Sequence, residues 1–185
     1  MTDIKGEPAI QFKRCDSNGR AVLLDSYKGN WLLMVFHRHF GWLLCRAHIT
    51  QLRDHEEKFS KQNVKIVVVT FESNLLSKNY VEETSLTWPL IIDETRELYR
   101  SYGMFSSSFW NVWGPKTLLS YLKEIIKGQK LKKSESDVMQ CGGDVLIDPN
   151  GFVRMHYVGK GPGDRPSIEM ILKVINEWHG EQILK

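Results

Sequence analysis

Cys45 is the residue whose surroundings point most directly to chemistry. It lies in WLLMVFHRHFGWLLCRAHI, residues 31–49, where an apolar run suited to a buried strand gives way to a loop of four or five residues and then to a helix. That arrangement delivers the thiol to the first helical turn. Unpaired backbone N–H groups and the positive end of the helix dipole gather there. Arg38, Arg46 and the neighbouring histidines add cationic character, so the thiolate is expected to be favoured over the thiol. Only the thiolate attacks peroxides and disulfides. A bland alternative stays open, because Cys45 shares a helical stripe with Ile49, Leu52 and Phe59 and a thiol can serve as a small buried hydrophobe.

The other two cysteines, Cys15 and Cys141, form no Cys-x-x-Cys pair with it, and the total of three is odd. A disulfide scaffold is therefore not expected. His37 and His39 flank Arg38 without acidic or thiol ligands beside them, so neither a metal nor another cofactor is expected.

The elements that must position Cys45 follow from periodicity and turn chemistry. Residues 8–13 and 20–24 read as strands around Asp16-Ser17-Asn18-Gly19. Trp31–Phe36 is a strand buried on both faces, Leu43–Phe59 the helix carrying Cys45, and Val64–Phe71 the clearest strand. Ser73 or Asn74 caps a helix through Val81, Trp88–Ile92 is a third core strand, and Asp93 caps a helix through about Tyr102. Asp144–Ile147 and Phe152–Tyr157 form a hairpin across Asp148-Pro149-Asn150-Gly151. Asp164 and Pro166 mark the last helix, Ile168, Ile171, Leu172, Ile175 and Trp178 give its apolar stripe, and Gly180 is expected to end it. Strand and helix alternate, so the predicted fold is an α/β three-layer sandwich with a mixed central sheet.

Residues of about 105–140 read as an insertion. Pro115 can open a helix with an apolar face of Leu118, Leu119, Leu122, Ile125 and Ile126. Trp110 and Trp113 with Lys116, Lys123, Lys127, Lys130, Lys132 and Lys133 resemble an interfacial membrane helix, but a helix packed on the domain edge with its lysines in water is the preferred reading.

The order of elements, with a cysteine at the start of the helix after the first core strand, resembles the thioredoxin-like fold. MVFHRHFGWLLCRAHITQLRDHEEKF, VKIVVVTFES, WPLIIDETRELYRSYGM and GGDVLIDPNGFVRMHYVGKGPGDRPSIEMIL together resemble the alkyl hydroperoxide reductase/thiol-specific antioxidant (AhpC/TSA) superfamily, in particular its peroxiredoxin-like 2 branch, over about residues 8–179. The resemblance implies a thiol peroxidase in which Cys45 attacks the O–O bond, becomes a sulfenic acid and is reduced by a second thiol. The loop motif Pro-x-x-x-Thr-x-x-Cys falls on Arg38, Trp42 and Cys45, so only the cysteine is kept. Gly142 stands where the family's distant arginine would be. Arg38 is the candidate substitute guanidinium, Arg46 a second cation, Phe40 and Trp42 the candidate substrate-pocket residues, and Cys141 the candidate resolving thiol. The implied partners are a peroxide and a thioredoxin- or glutathione-like thiol reductant, with homodimerisation left open. Two other readings stand beside this one. In a non-catalytic binding or regulatory module, Trp42 would plug the pocket; a disulfide or endoperoxide oxidoreductase is weakened by the missing Cys-x-x-Cys.

With 185 residues, 42% of them hydrophobic and 25% charged, the chain suits one domain spanning 1–185. A formal net charge of +3 is too small to indicate nucleic-acid binding. No apolar run has signal-peptide or membrane-spanning length, so a cytoplasmic protein without stable membrane association is expected.

Overall fold

The computed structural model describes residues 3–41, 43–105, 140–161 and 163–183. The inserted helix expected at 115–126 and the side chain of Trp42 lie outside them. The chain opens with an antiparallel pair, β1 (Lys13–Cys15) and β2 (Ala21–Leu23), closed by the expected turn. Asp16 Oδ1 accepts from the N–H groups of Asn18 and Arg20, each at 2.8 Å, which fixes that turn. The longer strand expected over 8–13 does not form. Lys13 alone of that stretch is in β1, and Pro8, which has no N–H to donate, makes a single bridge to Phe152.

The main sheet comprises β3 (Trp31–Phe36), β4 (Val64–Thr70), β5 (Leu90–Ile92), β6 (Gly143–Ile147) and β7 (Val153–Val158), in the order β5-β4-β3-β6-β7. β3, β4 and β5 are parallel, whereas β6 runs antiparallel to both β3 and β7. The mixed sheet is the one the sequence predicts. All six residues of β3 are buried, because alternate side chains feed two cores. Trp31, Leu33 and Val35 pack with Ile49, Leu52, Tyr80, Ile168, Ile171 and Ile175; Leu32, Met34 and Phe36 pack with Phe12, Val22, Leu98, Tyr99 and Tyr102. Helices α1 (Leu43–Asp54), α3 (Asn74–Thr84) and α5 (Ile168–Ile183) thus cover one face, and α4 (Glu97–Ser101) with the β1–β2 hairpin covers the other.

Several boundaries differ from expectation for local reasons. The helix expected over Leu43–Phe59 breaks at His55 into α1 and α2 (Glu56–Lys61). His55 Nδ1 donates to the Gln51 carbonyl at 2.9 Å, taking the acceptor its own N–H would use, and that N–H turns to Leu52 O instead. β5 begins at Leu90 rather than Trp88, whose indole N–H donates to Glu56 at 2.7 Å. Ser73 caps α3, which runs three residues past Val81 to end at Ser85 in the left-handed region. Asp93 accepts from the N–H groups of Leu98 and Tyr99 at 2.8 and 3.1 Å, although α4 itself starts at Glu97. Gly180 does not end α5, which continues to Ile183. Glycine in a helix costs about 1 kcal/mol relative to alanine, too little to stop a helix whose apolar stripe is already packed.

Candidate active site

β3 ends at Phe36, and the loop that follows brings the chain to α1, where Cys45 is the third helical residue and is 1% exposed. The loop is anchored at its start. The His37 N–H donates to Val69 O at 2.8 Å, and the Tyr99 hydroxyl lies against the carbonyls of His37 and Val69. Cys45 is thereby held over the C-terminal ends of the parallel strands, the end of an open α/β sheet where ligands are usually taken.

A guanidinium reaches the same place from the far end of the chain. Arg165 precedes α5 and is almost wholly buried; its Nη2 donates to Phe36 O at 2.8 Å, and Nη1 donates to Gly143 O at 2.8 Å and Asp144 Oδ2 at 3.0 Å. Burial by itself would lower the Arg165 pKa. The carboxylate of Asp144 and the negative charge of a Cys45 thiolate outweigh it and raise the value, which places thiol and guanidinium within electrostatic reach of each other. Gly142 makes this arrangement possible. A Cβ there would lie 2.3 Å from Phe36 O and 2.6 Å from Arg165 Nη2, so the guanidinium occupies the space of the missing side chain.

Asp144 is the shared partner of His48 and Arg165. Its Oδ1 meets His48 Nε2 at 2.8 Å while Oδ2 takes Arg165, and all three groups are buried. Burial pushes the Asp144 carboxyl up, but the charges and hydrogen bonds of His48 and Arg165 prevail and hold it below the ordinary aspartate value. Beside them, His37 packs against both Phe40 and Tyr80, at 5.2 and 5.5 Å between ring centres, and those two rings stack on each other at 4.2 Å. Neither ring nitrogen of His37 has a hydrogen-bond partner, nor does the Tyr80 hydroxyl. Burial first, and the Arg165 charge second, hold His37 neutral with a pKa well below that of an ordinary histidine. Burial likewise raises the pKa of Tyr80 and of Tyr99.

The residues singled out in the sequence are distributed unevenly around this centre. Arg38 is 1% exposed, which excludes a solvated surface charge, and its Cγ lies 2.8 Å from the position of a Gly142 Cβ. Arg46 turns away to α3, where it pairs with Glu83 at 3.0 Å and covers the Tyr80 ring at 5.7 Å. Phe40 forms the aromatic wall with Tyr80. Cys141 is buried just before β6, its N–H donating to Phe105 O at 3.0 Å, and Cys15 is exposed; none of the three cysteines is in a disulfide. Arg165, His48 and Asp144 were not singled out. The one local signal for Arg165 is a cation just ahead of a helix N-terminus, where the dipole disfavours it unless something else holds it. Among the described residues no cluster of three or more His, Cys, Asp and Glu could hold a metal ion, and no helix is long and apolar enough to cross a membrane.

Chemically, a thiol at a helix N-terminus beside a fixed guanidinium suits attack on a small polar electrophile whose developing charge needs a cation. Comparison with known proteins points the same way. The AhpC/TSA family profile matches residues 5–156. The chain is 26% identical over 171 residues to thioredoxin-like protein AAED1, chloroplastic, of Arabidopsis thaliana, covering 87% of this chain and 68% of that protein. It is 26% identical over 113 residues to the chloroplastic peroxiredoxin Q of Oryza sativa subsp. japonica, covering 61% of this chain and 52% of that protein, so it spans about half the length of that relative. The crystal structure of reduced 2-Cys peroxiredoxin from Plasmodium vivax superposes with a TM-score of 0.68 at 17% identity, over 97% of this chain and 99% of that one, a likeness of fold.

Proposed function

Because the chain belongs to the AhpC/TSA family, we propose that it is a thiol-dependent peroxidase that reduces hydrogen peroxide or alkyl hydroperoxides through Cys45. The observation that carries this reading is the placement of Cys45 on the first turn of α1 within reach of the buried Arg165 guanidinium. The thiolate attacks one peroxide oxygen, the O–O bond breaks, and the sulfur is oxidised to a sulfenic acid. Arg165 is the guanidinium that steadies the charge moving onto the leaving oxygen, with Arg38 buried beside it. An external thiol, thioredoxin- or glutathione-like, then reduces the sulfenic acid. Three thiols without a disulfide suit a reducing compartment such as the cytoplasm. Homodimerisation and the absence of stable membrane association are further parts of this proposal.

The test is intact mass after one equivalent of hydrogen peroxide with a sulfenic-acid trap present. The wild-type chain gains one trap adduct at Cys45, and Cys45→Ser gains none. Arg165→Lys keeps the charge but loses the planar fork, so its rate of adduct formation falls about 10²-fold. A wild-type chain that takes up no oxygen returns the protein to the non-catalytic reading.

A further inference from the structure

We infer that Asp144 is a positioning residue for the reaction at Cys45: its carboxylate aims the Arg165 guanidinium at the place where an incoming group meets the thiol. This deepens the peroxidase reading of Cys45 and rests on it. Asp144 lies on β6 at the register position opposite Val35 of β3, and both of its oxygens are engaged. Oδ2 accepts from Arg165 Nη1 at 3.0 Å. Oδ1 lies 2.8 Å from His48 Nε2, which must donate because an ionised carboxylate can only accept. His48 belongs to α1, the helix that carries Cys45. One carboxylate therefore ties the thiol's helix to the guanidinium and sets where the two stand relative to each other.

The other anchors of Arg165 cannot do this alone. They are Phe36 O and Gly143 O, each at 2.8 Å, two neutral backbone carbonyls on paired positions of β3 and β6. Among the described residues, Asp144 is the only carboxylate paired with Arg165; Glu72 is taken by His39 at 3.1 Å and Glu83 by Arg46 at 3.0 Å. Burial pushes the Asp144 carboxyl up, but His48 and Arg165 hold it below the ordinary aspartate value, so it keeps its charge. That charge is what retains the guanidinium. A buried cation without its counter-ion is driven toward water, and two neutral carbonyls do not replace the lost attraction.

Positioning and plain electrostatics predict opposite signs for one substitution. Asp144→Asn removes a negative charge from the site. With Arg165 still in place, the thiol would then sit in a more positive field and would favour anionic reagents more than before. With Arg165 released toward water, the field at the thiol falls and that preference is lost. The positioning role demands the second outcome.

The probes are iodoacetate, an anion, and iodoacetamide, its neutral counterpart, with alkylation of the Cys45 peptide followed by mass. Both reagents attack through the thiolate, so the ratio of their rates cancels any change in thiolate fraction. In the wild-type chain the iodoacetate-to-iodoacetamide ratio should exceed that of the urea-unfolded chain about tenfold. In Asp144→Asn it should drop back by about the same factor. In the double variant Asp144→Asn/Arg165→Gln it should be no lower than in Arg165→Gln alone, because Asp144 acts through Arg165. A ratio that rises or stays unchanged in Asp144→Asn overturns the positioning role. So does a wild-type ratio no higher than that of the unfolded chain, or a wild-type thiol that neither reagent reaches. If Asp144→Asn fails to fold, Arg165→Lys is read instead: it keeps the charge but loses the planar fork that Asp144 orients, and an unchanged ratio there overturns the proposal. Alkylation involves no peroxide. A chain that shows the expected ratios yet takes up no oxygen from hydrogen peroxide therefore overturns the peroxidase reading and not the hold of Asp144 on Arg165.

Discussion

His37 is a polar ring in an aromatic setting, with no partner for either nitrogen and Phe40 and Tyr80 against it. Leaving such a group unsatisfied costs about 1–3 kcal/mol. Burial depresses its pKa, so the native state refuses a proton that the unfolded chain binds below about pH 6.5. Stability is therefore full above that pH and falls as the solution is acidified, by up to about 1.4 kcal/mol per pH unit. His37→Phe removes both effects. Urea unfolding at pH 7 and pH 5 should show the variant more stable by about 1–3 kcal/mol at pH 7, and flatter between the two. Asp144 acts in a separate window. Its pKa is lowered by His48 and Arg165 against the opposing effect of burial, so its contribution is present above the ordinary aspartate value and lost only in stronger acid.

At the scale of elements, the approach of the β7–α5 connection to the ends of β3 and β6 depends on glycine. The Gly159 N–H donates to Gly142 O at 2.9 Å, and Arg165 fills the volume over Gly142. Gly142→Ala would set a methyl 2.3 Å from a backbone carbonyl of β3 and 2.6 Å from the guanidinium. It should lose about 1–3 kcal/mol through overpacking and slow the oxidation of Cys45, because Arg165 must give way. Gly180→Ala is the contrast. A Cβ there meets nothing within 4 Å, so the change should gain about 1 kcal/mol from helix propensity with the Cys45 rate unchanged. Denaturant midpoints and adduct rates for the pair separate the two effects.

Across the whole molecule, the site is assembled from both ends of the chain: Arg165 meets Phe36 across 129 positions and His48 meets Asp144 across 96. β6 is the strand that joins them, paired with β3 on one side and β7 on the other. Cys141 lies just before this strand and is buried, as is Cys45, and no disulfide joins the two. A bond between them needs Cα atoms within about 7 Å. Peptide mapping of peroxide-treated protein under non-reducing conditions should accordingly find Cys45 as a sulfenic acid, or as a mixed disulfide when a small thiol is added. A reducible Cys45–Cys141 peptide would instead make Cys141 the resolving thiol.

What the sequence determined by itself was local. The apolar run Trp31–Phe36, the helix start at Leu43 with Cys45 in its first turn, the Asp148–Gly151 hairpin turn and the alternation that yields a mixed sheet follow from side-chain periodicity, capping and turn chemistry within a few neighbouring residues. Even the local misreadings, the break at His55 and the helix running through Gly180, came from single side chains whose weak preferences neighbouring contacts decide. The tertiary structure alone decided which guanidinium faces the thiol, and that His48 finds a carboxylate in Asp144. Neither follows from spacing. Asp144 points toward α1 because β6 pairs with β3 in the register that sets Asp144 opposite Val35, and Arg165 arrives only once α5 docks its Ile168, Ile171 and Ile175 on that same face.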